Sequence, residues 1–105
     1  MKILVGRNAL ENDALVTSMG GKDYWFHAMD YPGSHVVVKG DKPTELVLDY
    51  AARLAATHSK SKGLEVEVIM CRGVDVIKPA NAEPGSVFCT NPVYIKLRKE
   101  SLLSL

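Results

Sequence analysis

The sequence has few cysteines and no long hydrophobic run, and each of these absences excludes a class of protein. No apolar segment approaches the roughly 20 residues that a membrane-spanning helix requires, and Met1–Arg7 is too short and too soon interrupted by charge for a signal peptide. Cys71 and Cys89 are too few for a zinc site, because no further Cys or His lies at close spacing. We expect no metal, no cofactor, no membrane contact, and two reduced thiols in a cytoplasmic protein.

A strong excess of charge of one sign is also lacking. The formal net charge of the 105 residues is +1, from 13 basic and 12 acidic side chains. The total charge therefore does not indicate a nucleic-acid binder, and only the distribution of the charges can do so. Several basic residues lie in the second half of the chain: Lys60, Lys62, Arg72, Lys78, Lys96, Arg98 and Lys99. They would form a local positive face if the fold brings them together, whereas a mixed solvated surface is the simpler interpretation.

A hairpin is predicted over residues 23–38, where two aromatic and β-branched segments flank Pro32-Gly33. Pro and Gly suit the turn, since Pro fixes φ and Gly accepts a positive φ. The pairing of the two strands brings His27 and His35 towards one another. Alternation within the first strand places Trp25 and His27 on the same face.

Two helices are predicted. Asn8 caps the first, with Glu11 three residues later as in a capping box, and Gly20-Gly21 ends it. The second covers residues 44–58, where an apolar stripe at helical spacing indicates a face that packs on a sheet. That stripe contains Leu46, Val47, Tyr50, Ala51, Leu54 and Ala55.

The remaining strands are predicted at residues 2–5, 65–71, 86–89 and 93–97, and the last two form a hairpin around Thr90-Asn91-Pro92. The resulting order is β-α-β-β-α-β-β-β. We expect an α+β fold with a mainly antiparallel sheet and two packed helices. Residues 1–99 form the single domain, and residues 100–105 form an apolar C-terminal tail.

Four motifs together resemble a known family. Gly6-Arg7-Asn8 is followed by Asn12-Asp13, and Asp23-Tyr24-Trp25-Phe26-His27 is followed by Pro32-Gly33-Ser34-His35. An Ala-rich helix ending before Ser59 comes next, and Lys78-Pro79 precedes Pro84-Gly85-Ser86. The order and spacing of these motifs resemble the NFACT-R domain, the RNA-binding module of the NFACT proteins of ribosome quality control. The similarity runs from about Val5 to Leu97.

The resemblance implies a non-catalytic RNA-binding module, with tRNA or rRNA and the large ribosomal subunit as partners. In that family the domain follows other domains in a long protein, so this chain resembles a stand-alone member. The tailing of stalled nascent chains is not carried over, because those other parts do much of that work. The predicted RNA-binding residues are Arg7, Asn8, Trp25, His27, Ser34, His35, Ser59, Lys60, Lys62 and Lys78.

The residue types give physical reasons for these assignments. Arg7 precedes a helix N-terminus, where free amide N–H groups and a guanidinium fork bind phosphate, although it could instead pair with Asp13 or another nearby acid. Trp25 could stack on a base, but a single Trp in a small domain is more often part of the core. His27 and His35 contact RNA or hold the turn. The lysines suit contacts with the RNA backbone.

Two other classes of function remain as alternatives. The first is a protein-interaction adaptor that docks on the ribosome or on an RNA-modifying enzyme through the apolar C-terminal end. The second is a small hydrolase or metal protein using His27 and His35 with Asp30, which we weigh low because no nucleophile or further ligand accompanies them.

Overall fold

The computed structural model describes residues 2–29, 33–40, 42–59 and 64–98. Its elements follow the predicted order, with one additional two-residue strand and a short 3-10 helix. They are β1 (Lys2–Val5), α1 (Ala9–Ser18), β2 (Tyr24–Ala28), β3 (Val36–Lys39), α2 (Glu45–Thr57), β4 (Glu65–Arg72), the 3-10 helix (Gly73–Asp75), β5 (Val76–Ile77), β6 (Phe88–Cys89) and β7 (Val93–Arg98). The α+β class is confirmed, and neither described helix is long and apolar enough to cross a membrane.

Five strands form one antiparallel sheet in the order β1-β3-β2-β4-β7, and β5 pairs with β6 separately. The predicted hairpin between the last two strands is therefore wrong. Instead β7 pairs with β4 so that Ile95 lies opposite Val68 and Leu97 opposite Val66. This register places the apolar residues of both strands on the same buried face, which a hairpin with the two-residue β6 would not do.

The helix α2 covers one face of the sheet. Its four buried alanines, Ala51, Ala52, Ala55 and Ala56, pack on Phe26, Ala28, Val36, Val38, Val66 and Val68. Thr44 caps the helix, since its hydroxyl oxygen accepts a hydrogen bond from the Val47 N–H at 3.2 Å. The prediction that Tyr50 belongs to the core is wrong, because its side chain is 48% exposed. The small alanines, rather than the larger members of the stripe, make the close contact with the sheet.

A second core lies on the opposite face, between the sheet, α1 and the β5–β6 pair. Trp25, Val37 and Cys71 are buried there, with Leu15 and Val16 of α1 and the C-cap residue Met19 packed against them. Asn8 caps α1 as predicted, and its side-chain oxygen accepts the Glu11 N–H at 2.9 Å. The capping box is not completed, because the Glu11 carboxylate binds Arg7 instead of the Asn8 backbone.

The expectation of two reduced thiols is not met, because Cys71 and Cys89 form a disulfide. The bond joins β4 of the large sheet to β6 of the small one, and the two cysteines are 18 residues apart in sequence. Spacing alone could not show this pairing, since it depends on β6 folding back beside β4. Closing a loop of this length stabilises a fold by about 3 kcal/mol in the chain-entropy account.

Candidate nucleic-acid interface

The hairpin brings two histidine rings and the only tryptophan together. Phe26 lies opposite Val36, so the next pair towards the turn is His27 and His35. The centroids of these two rings are 4.7 Å apart in an edge-to-face arrangement. The Trp25 ring lies 5.8 Å from His27 and 5.2 Å from His35. The structure thus confirms that the two His approach one another and that Trp25 shares the face of His27.

The side chain of Asn12 holds this turn against α1. Its Nδ2 donates to the Gly33 carbonyl at 3.2 Å, and its Oδ1 accepts the His35 N–H at 3.0 Å. Asn12 is 7% exposed; its bond to His35 is buried and its bond to Gly33 is partly buried. Gly6 packs against the same amide so closely that a Cβ there would overlap Asn12 Oδ1. The sequence Gly6-Arg7-Asn8 therefore lies directly beside the histidine pair.

A cavity of about 670 Å³ opens between these elements. Its walls are residues 7–9 and Asn12 at the start of α1, His27 with residues 33–35, His58 at the end of α2, and residues 83–86. The cavity therefore combines a helix N-terminus, three histidines and a segment from late in the chain.

The side chain of Arg7 stands at the rim of the cavity and is held by Glu11. Its Nη2 lies 3.0 Å from Glu11 Oε2 and its Nε donates to Glu11 Oε1 at 3.1 Å. These hydrogen bonds raise the pKa of Arg7 above its ordinary value and lower that of Glu11. The Arg7 side chain is nonetheless 84% exposed, so the guanidinium keeps an open side towards solvent.

Residues 83–86 form the late wall of the cavity, and Asp13 attaches this wall to α1. Its Oδ1 accepts the Gly85 N–H at 3.2 Å and forms an ion pair with Lys78. These contacts lower the pKa of the Asp13 carboxyl. Gly85 has φ +85, a conformation that favours glycine in this turn.

Burial keeps both histidines of the hairpin neutral near pH 7. Loss of hydration lowers the pKa of His27, and it lowers that of His35 to about 4, with a further contribution from the nearby His27. Among the described residues, the hydrogen bond found for the His27 ring is a long one, 3.5 Å from Nδ1 to the Ser34 oxygen. The pair therefore presents uncharged rings to the cavity rather than cations.

The low pKa of His35 predicts that the fold loses stability on mild acidification. Unfolded His takes up a proton near pH 6.5, whereas His35 in the fold does so only near pH 4. The unfolded chain thus binds more protons between these values, and the free energy of unfolding falls by roughly 3 kcal/mol as the pH falls through them. Urea unfolding at several pH values measures this change.

The variant His35→Phe is the control for that measurement, since it retains an aromatic ring that cannot titrate. We expect its unfolding midpoint to vary less than that of the parent between pH 6.5 and about 5.5, a window above the ordinary pKa values of Asp and Glu, near 4. An equal pH dependence in the variant and the parent would contradict the assignment to His35.

The structure brings five of the predicted residues to the cavity and separates others from it. Arg7, Asn8, His27, Ser34 and His35 line it. Trp25 is 3% exposed and supports the histidines from the core, so its ring has no open face on which a base could stack. Lys78 forms an ion pair with Asp13 and is not among the residues that line the cavity. The Ser59 hydroxyl donates to the Ala56 carbonyl at 2.8 Å, and Lys60 and Lys62 lie outside the described residues.

Several residues of the site were not predicted from sequence, among them Asn12, His58 and Glu83. Asn12 positions the turn, while His58 and Glu83 line the cavity. Asn12 was visible only as part of a motif, because its partners are more than 20 positions away in sequence. In the part of the chain that the structure describes, no group of three or more His, Cys, Asp or Glu is arranged to hold a metal ion.

Comparison with known proteins identifies the family. The family model described as the NFACT protein RNA binding domain matches residues 1–91. The chain belongs to this family. The motifs around Arg7, Trp25 and His35, which form the cavity and its support, all fall within the matched residues.

Several curated relatives of this NFACT-R chain carry the name Rqc2 homolog RqcH. The protein of Streptococcus suis is 44% identical over 88 residues, and that of Bacillus subtilis is 40% identical over 89 residues. The Streptococcus pneumoniae protein is 39% identical over 102 residues, or 94% of this chain. The chain spans only 16% to 18% of the length of these relatives.

A solved structure has the same fold. It is the C-terminal part of the fibronectin/fibrinogen-binding protein from Streptococcus suis, with a TM-score of 0.84 and 34% sequence identity. The superposition covers 98% of this chain and 43% of that one. The NFACT-R fold described above is therefore shared by an experimentally determined relative.

Proposed function

We propose that this NFACT-R chain is a non-catalytic RNA-binding domain that contacts tRNA or rRNA in translation or ribosome quality control. Family membership supports the RNA ligand, and the relatives named Rqc2 homolog RqcH support the quality-control setting. Cytoplasmic location and association with the large ribosomal subunit belong to the same proposal.

The observation that carries the proposal is the position of Arg7 beside the open N-terminus of α1 at the rim of the cavity. The first amide N–H groups of a helix have no partner within the helix, and they attract anions together with the helix dipole. A guanidinium adds a bidentate contact to phosphate. Since the net charge of the chain is only +1, binding depends on this local arrangement rather than on a general attraction to RNA.

The geometry of the histidine pair supports a role without catalysis. A catalytic histidine is ordinarily oriented by a hydrogen-bonded carboxylate and lies within reach of a nucleophile. The partner found for His27 within the described residues is instead a backbone carbonyl at 3.5 Å, and the ring of His35 packs edge-on against its neighbours.

Binding of labelled tRNA to the purified chain across a salt series tests this function. Each contact between the protein and a phosphate lowers the affinity by a factor of about 3.5 when the salt concentration rises from roughly 50 to 200 mM. Three such contacts therefore predict a loss of about 40-fold in affinity. Failure to bind tRNA and rRNA fragments at low salt, or affinity that does not change with salt, would contradict the proposal.

An adaptor that docks on a protein is the second candidate, and one surface favours it. Ile77 and Phe88 lie opposite each other in the β5–β6 pair and are 50% and 66% exposed. Val74, 73% exposed, lies on the neighbouring 3-10 helix. A stable complex with ribosomal protein in the absence of RNA, lost in Phe88→Ser, would favour this candidate over the first.

A further inference from the structure

We propose that the cavity takes up one unpaired nucleotide of the bound RNA, with its phosphate at the start of α1 and its base against the histidine pair. This inference rests on the proposed function and specifies what the site recognises. The size of the cavity is suitable, since about 670 Å³ falls in the range of roughly 300–1,000 Å³ that is typical of small-molecule sites.

The phosphate end is formed by the first turn of α1. The N–H of Glu11 is bound by the Asn8 side chain, and the N–H of Asn12 by the Asn8 carbonyl. The amides of Ala9 and Leu10 precede these two and have no acceptor within the helix. Together with the guanidinium of Arg7, they provide the hydrogen bonds that a phosphate requires.

The base end is formed by the two histidines, and one of them carries an unsatisfied polar atom. His35 is 4% exposed and lines the cavity, yet among the described residues its buried Nδ1 has no hydrogen-bond partner. Native proteins rarely leave such an atom unpaired, and a base in the cavity provides its partner once the His35 ring turns to expose Nδ1. The base edges of a nucleotide offer both donors and acceptors.

The His27 ring provides a second contact for the base. It is only half-buried, lines the cavity, and is fixed edge-on against His35. Unpaired bases are recognised by stacking on rings of this kind, which are not available to a base that remains in a duplex. The rigid position of His27, with Trp25 behind it, means that little side-chain freedom is lost on binding.

A carboxylate in the cavity wall disfavours ligands with several phosphates. Glu83 lines the cavity from the late segment, and its negative charge repels additional phosphate groups. This arrangement favours a nucleoside monophosphate unit of an RNA strand over a free di- or triphosphate.

Titration of the chain with adenosine 5′-monophosphate, uridine 5′-monophosphate and ribose 5-phosphate tests the inference without any substitution. Ribose 5-phosphate carries the same phosphate and sugar but has no base. Trp25 is the only tryptophan and touches both histidines, so its fluorescence reports on the cavity, as do the His ring protons by NMR. We expect saturable changes with at least one of the two nucleotides and affinity about tenfold lower for ribose 5-phosphate.

The other outcomes of this titration overturn the inference. Equal affinity for all three compounds would show a phosphate site without base recognition. No change with any of them would show that the cavity does not take up a nucleotide. In both cases salt-dependent binding of tRNA could still be observed, so the proposed function and this inference fail separately.

The variant His27→Leu supplies a second test, with Tyr50→Ala as the matched control on the other face of the sheet. We expect His27→Leu to lose the distinction between nucleotide and ribose 5-phosphate, and Tyr50→Ala to keep it. Thermal unfolding establishes that each variant is folded.

A single-stranded RNA hexamer should displace the nucleotide and bind at least tenfold more tightly. Tighter binding of the free nucleotide would overturn the assignment to RNA.

Discussion

Replacing Arg7 with alanine is expected to weaken the binding of tRNA by roughly 10- to 100-fold, because a hydrogen bond between charged groups contributes about 1.5–3 kcal/mol. The guanidinium stands 84% exposed at the rim of the cavity, beside the N-terminus of α1. Loss of one phosphate contact also reduces the slope of log affinity against log salt by about 1. Filter binding at four or more salt concentrations measures both quantities.

The matched control is Lys2→Ala, which removes the same charge from the opposite end of β1. Lys2 and Arg7 are five positions apart along extended chain, about 16 Å. We expect little change in affinity for the control. Glu11→Gln is the opposite test, since it removes the carboxylate that competes with phosphate for Arg7, and we expect tighter binding. Equal losses in Arg7→Ala and Lys2→Ala would show that only total charge matters.

Replacing Asn12 with alanine is expected to lower the free energy of unfolding by about 2–4 kcal/mol, since one buried and one partly buried backbone group lose their partner. These are the Gly33 carbonyl and the His35 N–H, at 3.2 and 3.0 Å from the amide. A domain of this size then melts more than about 10 °C lower. Calorimetry or circular dichroism measures the shift.

Thr17→Ala on the same helix is the control for Asn12→Ala. Its hydroxyl donates to the Asp13 carbonyl at 3.0 Å in an exposed position, so we expect a change of no more than about 0.5 kcal/mol. If the two variants melt at similar temperatures, the Asn12 amide is not the link between α1 and the turn that the hydrogen bonds indicate.

The parts of the fold that depend on neighbouring residues could be predicted from the sequence. The strands β2 and β3 are rich in aromatic and β-branched residues on either side of Pro32-Gly33, and α2 has a capping Thr44 and an alanine-rich face. In each case the signal lies within about 15 residues, where side-chain spacing and turn chemistry determine the local structure.

The pairing of distant segments could not be predicted in this way. Whether β7 joins β4 or β6 depends on which partner buries Ile95 and Leu97, and this is decided by the whole sheet. The disulfide between Cys71 and Cys89 depends on the same arrangement. Tyr50 shows a related limit, since periodicity places it on the apolar stripe but cannot show that the alanines alone fit the contact.

Several residues of the site could be predicted from the sequence, but the cavity that they form with residues 83–86 could not. Arg7, Asn8, His27 and His35 were identified from the helix start and the hairpin, and all four line the cavity. The late wall formed by residues 83–86 was not foreseen, because it reaches the site only through the tie between Gly85 and Asp13. Lys78, selected for its charge, is instead occupied by that same carboxylate.

The strand order has a consequence for how the domain forms. In the five-stranded sheet that the structure describes, only β2 and β3 are neighbours in both sequence and sheet. The strand β1 can pair only after β3 has formed, β2 pairs with the later β4, and β4 with the later β7. Long-range pairings of this kind slow folding, because large loops must close before their contacts form. During synthesis from the N-terminus, residues 7–35 emerge long before the wall at residues 83–86 that completes the cavity. The nascent chain can therefore bury much of its core while this cavity is still incomplete.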